Sequence, residues 1–250
     1  MTASDQPHEI PEHPYRHRHY KYFDFVMVGF VTVLLCSNLI GPAKVCEVQI
    51  PGMSWSVPFG AGNLFFPIGY IFGDVLTEVY GYARARKVIW AGFIAMIFAA
   101  IMTQIVIAMP VQPGNEWNQK LQPALEIALG STPRIVIASL LAYWCGDFVN
   151  SYVMARMKLW SSGKHLWMRT IGSTLFGQGV DSLLFYPLAF LGPQPAATVF
   201  LLVFTNFFFK VMVEVVFTPV TYLVVNFLKR AENEDFYDTD TNFTPFSVAD

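Results

Sequence analysis

The stretch FPIGYIFGDVLTEVYGYARARK, residues 66–87, decides the fold. It begins as an apolar segment, carries two carboxylates near its end, Asp74 and Glu78, and then runs into Arg84, Arg86 and Lys87. Residues four apart share a helical face, so both acids point the same way. An apolar segment that ends in cations reads as a membrane crossing. An acid inside a crossing is costly unless it faces a cavity or a partner. The rest of the chain is read by asking what these acids meet.

Of the 250 residues, 54% are hydrophobic and 14% charged, whereas a soluble domain carries about 25% charged residues. That deficit predicts an all-α, polytopic integral membrane protein. At roughly 20 residues per crossing, about six helices fit. Apolar runs place them near 22–40, 61–79, 88–109, 134–157, 170–190 and 196–228. The last run is long for one crossing, but no turn divides it, so it reads as a single helix, long or broken, with a kink at Pro219. Between the first two crossings the alternation in 44–50, the Pro51-Gly52 turn and 54–59 predict a small hairpin on the outer side, either a plain tip or a lid. Residues 110–133 read as a polar loop with a helical pattern over 121–129.

Orientation follows from Lys and Arg in the short loops. With the N-terminus inside, twelve fall in cytoplasmic segments and three, Lys44, Lys120 and Arg134, outside; Lys210 alone stays in the membrane. The bias predicts six spans with both termini cytoplasmic. Residues 1–20 then form a polar cytoplasmic tail, 21–229 the transmembrane domain and 230–250 an acidic cytoplasmic tail, read as disordered. The net charge of -2 gives no footprint for nucleic acid. Cys36, Cys46 and Cys145 suggest no disulfide framework, and no Cys-x-x-Cys or His cluster suggests a metal. No cofactor is expected.

Inside the spans stand Asp74, Glu78, Asp147, Asp181 and Glu214 against one base, Lys210. Lys210 and Glu214, four apart, are positioned to pair with each other. The surplus acids must be protonated, reach water, or meet something cationic or rich in donors. Their convergence on a cavity is the economical reading. Asn150, Gln178 and Asn206 add amides, and Phe66, Tyr70, Tyr143 and Trp144 add stacking faces. A carboxylate accepts two parallel N–H bonds from an amidine-like edge, so the set suits a flat polar heterocycle such as a guanine. The plainer reading is that some acids only cross-link helices. Glu78, near Arg84 and Arg86, is the strongest case for that. An echo of Gly73-Asp74 with Arg84 and Arg86 in Gly146-Asp147 with Arg156 and Lys158 reads either as a transporter repeat or as the cations found at any cytoplasmic helix end.

Phe66-Pro67, the run from Gly73 to Gly81, Ala83-Arg84 and Val88-Ile89-Trp90 resemble the signature of the YhhQ-type queuosine precursor transporters, within the putative vitamin uptake transporter group. Gly163-Lys164, Trp167, Arg169, Gly172-Ser173-Thr174, Gly177-Gln178 and Asp181-Ser182 resemble its second motif. The resemblance covers 22–229. It implies import of 7-cyano-7-deazaguanine, and of 7-aminomethyl-7-deazaguanine as a second substrate, across the bacterial inner membrane for queuosine salvage into tRNA. The partners implied are that small molecule and the lipid bilayer, with a homodimer left open. No Gly-x-x-x-x-Gly-Lys-Ser/Thr loop is present, so ATP is not hydrolysed by this chain. Two other readings stand beside the importer. One is the substrate-binding membrane subunit of a multi-subunit vitamin or nucleobase importer. The other is an intramembrane aspartyl protease using Asp74 and Asp147, which lacks the Gly-x-Gly-Asp motif.

Overall fold

Seven α-helices and one two-stranded hairpin form in a computed structural model, which describes residues 19–40, 45–49, 56–60, 64–130 and 133–247. In chain order they are α1 (Phe23–Leu39), β1 (Val45–Gln49), β2 (Ser56–Gly60), α2 (Phe66–Tyr80), α3 (Tyr82–Ala108), α4 (Glu116–Leu129), α5 (Pro133–Trp160), α6 (Leu166–Phe190) and α7 (Ala196–Glu232). The strands pair antiparallel, with Val45 opposite Gly60 and Gln49 opposite Ser56, so the expected hairpin is present. Residues 1–18, including most of the expected N-terminal tail, lie outside the described residues.

Local chemistry sets the helix ends. Proline stands in the first turn of α2 and at the start of α5, where its missing N–H costs nothing. Asn115 caps α4 by accepting from the Asn118 N–H at 3.1 Å. That helix extends the pattern expected at 121–129. Gly81, at φ +86°, is the whole connection between α2 and α3. A single residue in that conformation reverses the chain without a loop, so α3 begins at Tyr82 rather than 88 and Arg84, Arg86 and Lys87 are helical. The last apolar run is one continuous helix of 37 residues through Pro219, about 55 Å at 1.5 Å per residue.

Helices α3 and α7 are long and apolar enough to cross a membrane; taken as one bent span, α4 and α5 make a third. Together with the shorter apolar α1, they make this a helical, multi-pass membrane protein. Helices α5 and α6 are long as well, but they carry polar groups at their centres.

One end of the bundle, the base, gathers the start of α1, the α2–α3 junction, the ends of α5 and α7 and the start of α6. Its core is Val75, Leu76, Val79, Tyr80, Tyr82, Val88, Met154, Val225 and Leu228, all buried. Within it Glu78, fully buried, meets three cations: Arg169 Nη2 at 2.8 Å, Lys229 Nζ at 2.6 Å and Lys158 Nζ at 3.4 Å. Sequence proximity had suggested Arg84 and Arg86 for Glu78. Instead Arg84 sits over the Tyr20 ring and Arg86 donates to the Asn242 and Thr244 carbonyls at 2.6 and 2.8 Å.

Those carbonyls belong to the acidic C-terminal tail, and here the expectation of disorder is corrected. Residues 233–247 run as a strap across the base. Asp235 bonds Lys158 at 2.5 Å and Lys229 at 2.7 Å. Asp238 accepts the Tyr82 N–H at 3.0 Å, capping α3 from outside that helix. Trp90 Nε1 donates to the Pro245 carbonyl at 2.8 Å. Any Cβ at Gly81 would strike the Phe236 ring, and one at Gly163 (φ +76°) the Tyr237 hydroxyl, so both turns are glycine for space as well as conformation. Acidity suggested a solvated tail, but Asp235, Phe236, Tyr237 and Asp238 all find partners on the base.

Candidate functional site

A tight crossing of α5 over α6 builds the site. A Cβ on Gly177 would lie 2.7 Å from the Asn150 Cβ and 2.9 Å from the Gly146 carbonyl oxygen, and one on Gly146 would lie 3.0 Å from the Asp181 Cβ. Glycine on both helices lets the backbones touch. The touch sets Asp147 and Asn150 of α5 beside Gln178 and Asp181 of α6. Above the crossing the bundle opens into a cavity of about 350 Å³ lined by α1, α2, α3, α5, α6 and α7.

Most of the expected residues line it: Asp147, Asn150, Gln178, Asp181, Asn206, Lys210, Phe66, Tyr70 and Tyr143. The expected Lys210–Glu214 pair does not form. Lys210 bonds Asp181 across the α6–α7 interface at 2.5 Å, and its ammonium also stands 5.0 Å from the Phe66 ring centroid. Phe66 and Tyr70 stack with centroids 6.1 Å apart. Asp147 accepts no hydrogen bond among the described residues, although it borders the Asp181–Lys210 pair. The Tyr70 hydroxyl and Gln178 Oε1 are buried without a partner among those residues.

Four expected residues fall elsewhere. Glu78 belongs to the base cluster. Asp74 and Glu214 meet each other where α2 packs on α7, outside the lining. Trp144 stacks in an aromatic group, 5.7 Å from Trp90 and 5.0 Å from Phe148. It faces away from the cavity because it follows Tyr143 by one residue and so points to another side of α5.

The lining also includes residues that sequence reading passed over: Ser37, Ser139, Ser151, Phe185 and Tyr186. Their signal was periodicity. Ser139, Tyr143, Asp147 and Ser151 climb one face of α5 in steps of four, and Gln178, Asp181 and Phe185 climb one face of α6. Ser139 Oγ joins Asn38 Oδ1 at 3.2 Å, tying α5 to α1 at the rim.

Chemically, the cavity offers a free carboxylate, an ammonium held by a second carboxylate, amides of both polarities and aromatic faces. Such a set has the groups that would complement a neutral or cationic planar solute with donor and acceptor edges. Among the described residues there is no group of His, Cys, Asp and Glu that would hold a metal ion.

A family model described as "Putative vitamin uptake transporter" matches residues 60–224. The chain is 31% identical over 209 residues to a protein of Bacillus subtilis (strain 168) named probable queuosine precursor transporter, covering 83% of this chain and 86% of that one. It is 25% identical over 215 residues to the queuosine precursor transporter of Escherichia coli (strain K12), covering 84% of this chain and 90% of that one. A probable queuosine precursor transporter of Haemophilus influenzae is 27% identical over 173 residues, covering 68% of this chain and 69% of that protein. No solved structure matches. The matched range holds the glycine crossing and most of the lining, and it ends before the strap.

Proposed function

This chain belongs to the putative vitamin uptake transporter family, and from that premise we propose that it imports queuosine precursors across the bacterial inner membrane. The substrates are 7-cyano-7-deazaguanine and its 7-aminomethyl analogue. Six helices, all but α4, cross the bilayer, with the base and both termini cytoplasmic. The excess of Lys and Arg at the base supports that orientation, as does the polarity of α4.

The observation that carries the substrate is Asp147, a carboxylate facing the cavity with no hydrogen-bond donor of its own. A guanine-type base presents two parallel N–H donors, the ring N–H and the exocyclic amine, and a carboxylate takes both. Lys210, fixed by Asp181, then donates to the base's carbonyl oxygen. Phe66, Tyr70 and Tyr143 flank the ring plane, and the unpartnered Gln178 Oε1 takes a remaining donor. No residue in this set is an activated nucleophile, which supports transport over chemistry.

The test is competition binding on the purified protein with labelled 7-cyano-7-deazaguanine. Guanine-edged analogues should compete, whereas an analogue lacking the exocyclic amine should bind at least tenfold more weakly, one charge-assisted bond being worth about 1.5–3 kcal/mol. Equal competition by both would remove Asp147 from the recognition of that edge.

A further inference from the structure

Below the cavity, where α2 packs against α7, two acids lie in contact. Asp74 and Glu214 are each 1% exposed and stand close enough for each to act on the other's carboxyl. Carboxylate oxygens only accept, so two carboxyls side by side can bond to each other only when one of them holds a proton. Asn150 stands beside Asp74. One oxygen of each, Asp74 Oδ2 and Glu214 Oε1, is buried and without a partner among the described residues.

The charges on every neighbouring helix are engaged elsewhere. On α2, Glu78 is held by Arg169, Lys158 and Lys229, and Tyr70 faces the cavity. On α5 Asp147 also faces the cavity, and on α6 Asp181 holds Lys210 of α7. On α3, Arg86 is turned to the strap carbonyls. Helix α1 has no charged side chain beyond Asp24. No ion pair among the described residues brings a cation to either acid of the pair. Two bare charges in contact inside a bundle are prohibitive, and one shared proton relieves them.

We propose that Asp74 and Glu214 form a proton site distinct from the substrate cavity, and that proton binding there drives uptake. This inference rests on the transporter reading above. Asn150 supplies the link, because it both lines the cavity and stands beside Asp74. A solute that engages Asn150 changes the polar surroundings of the pair, so occupancy of one site alters the affinity of the other.

Two measurements on the full-length protein decide it. Infrared difference spectra of the purified protein at neutral pH should show the carbonyl stretch of a protonated carboxylic acid, and Asp74→Asn and Glu214→Gln should each remove it. In liposomes holding only this protein, a one-unit pH step, alkaline inside, should concentrate labelled 7-cyano-7-deazaguanine up to about tenfold for one proton carried per neutral base. Glu214→Gln should bring the base only to equal concentrations on both sides, and Glu214→Asp should restore part of the accumulation. A spectrum in which the variants match the wild type would overturn the shared proton. So would wild-type accumulation that ignores the pH step or follows a sodium gradient, or a Glu214→Gln protein that concentrates the base fully. If the wild-type protein takes up no base at all, the substrate reading fails, while the spectra still decide on the proton.

Discussion

Asp147, Asp181 and Glu78 are three acids in apolar helices with three different surroundings, and substitution should separate them. Asp147 has no hydrogen-bond donor, so Asp147→Asn removes a charge without breaking a contact. It should lower affinity for a guanine-edged base about tenfold to a hundredfold and leave the melting temperature near wild type in the same detergent. Asp181 is half of an ion pair, so Asp181→Asn frees Lys210 as well and should impair both binding and stability. Glu78 is fully buried among three cations. Glu78→Gln leaves those cations facing one another and should cost about 3–5 kcal/mol, read as a large fall in melting temperature. Sequence reading gathered these acids correctly as unusual. It could not sort them, because their partners are contributed by helices far away in the chain: Lys210 for Asp181, and Arg169 and Lys229 for Glu78.

At the level of elements, periodicity and apolar length made the helices legible, and the alternation in 44–50 pointed to the paired strands, whereas the turn expected at Pro51-Gly52 lies outside the described residues. The α2–α3 junction was not, because a one-residue reversal at Gly81 depends on a positive φ that no hydrophobic pattern encodes. The strap was missed for a related reason. Its acidity resembles a solvated tail, and its anchoring depends on glycines and helix ends elsewhere. Burial pushes the Asp235 carboxyl up, but hydrogen bonds and charge from Lys158 and Lys229 outweigh it and hold that carboxyl below the ordinary aspartate range. A depressed folded pKa contributes stability that is present above the unfolded value and lost as pH falls through the folded one. Asp238 works in the opposite sense, its carboxyl raised by burial. Through Asp235, acidification to below the ordinary aspartate range should loosen the strap, and Asp235→Asn should loosen it at neutral pH. Limited proteolysis after residue 232 reports both, and an equally protected strap in the variant would show that the ion pairs do not hold it. At the α5–α6 crossing, Gly177→Ala should cost about 1–3 kcal/mol by overpacking and weaken base binding along with it, since the same contact sets Asn150 beside Gln178.

For the whole molecule, two regions divide the work. The base is a packed core closed by the Glu78 cluster and the strap, and the other half is hollow. On the proposed reading, the solute sits in that cavity, near mid-depth, and enters from the side away from the base. Single cysteines in a background where Cys36, Cys46 and Cys145 are replaced would map the sides of the membrane. A cysteine at Lys120 in α4 should react with an impermeant thiol reagent added outside cells, and one at Thr239 in the strap should not. Labelling of both from the same side would refute the six-crossing arrangement.

The most direct measurement is uptake of labelled 7-cyano-7-deazaguanine into liposomes containing only this purified protein, wild type against Asp147→Asn. Saturable uptake by the wild type, reduced at least tenfold in an equally stable variant, is the expected result. Absence of saturable uptake by the wild-type protein, or transport by Asp147→Asn at the wild-type rate and affinity, would contradict it.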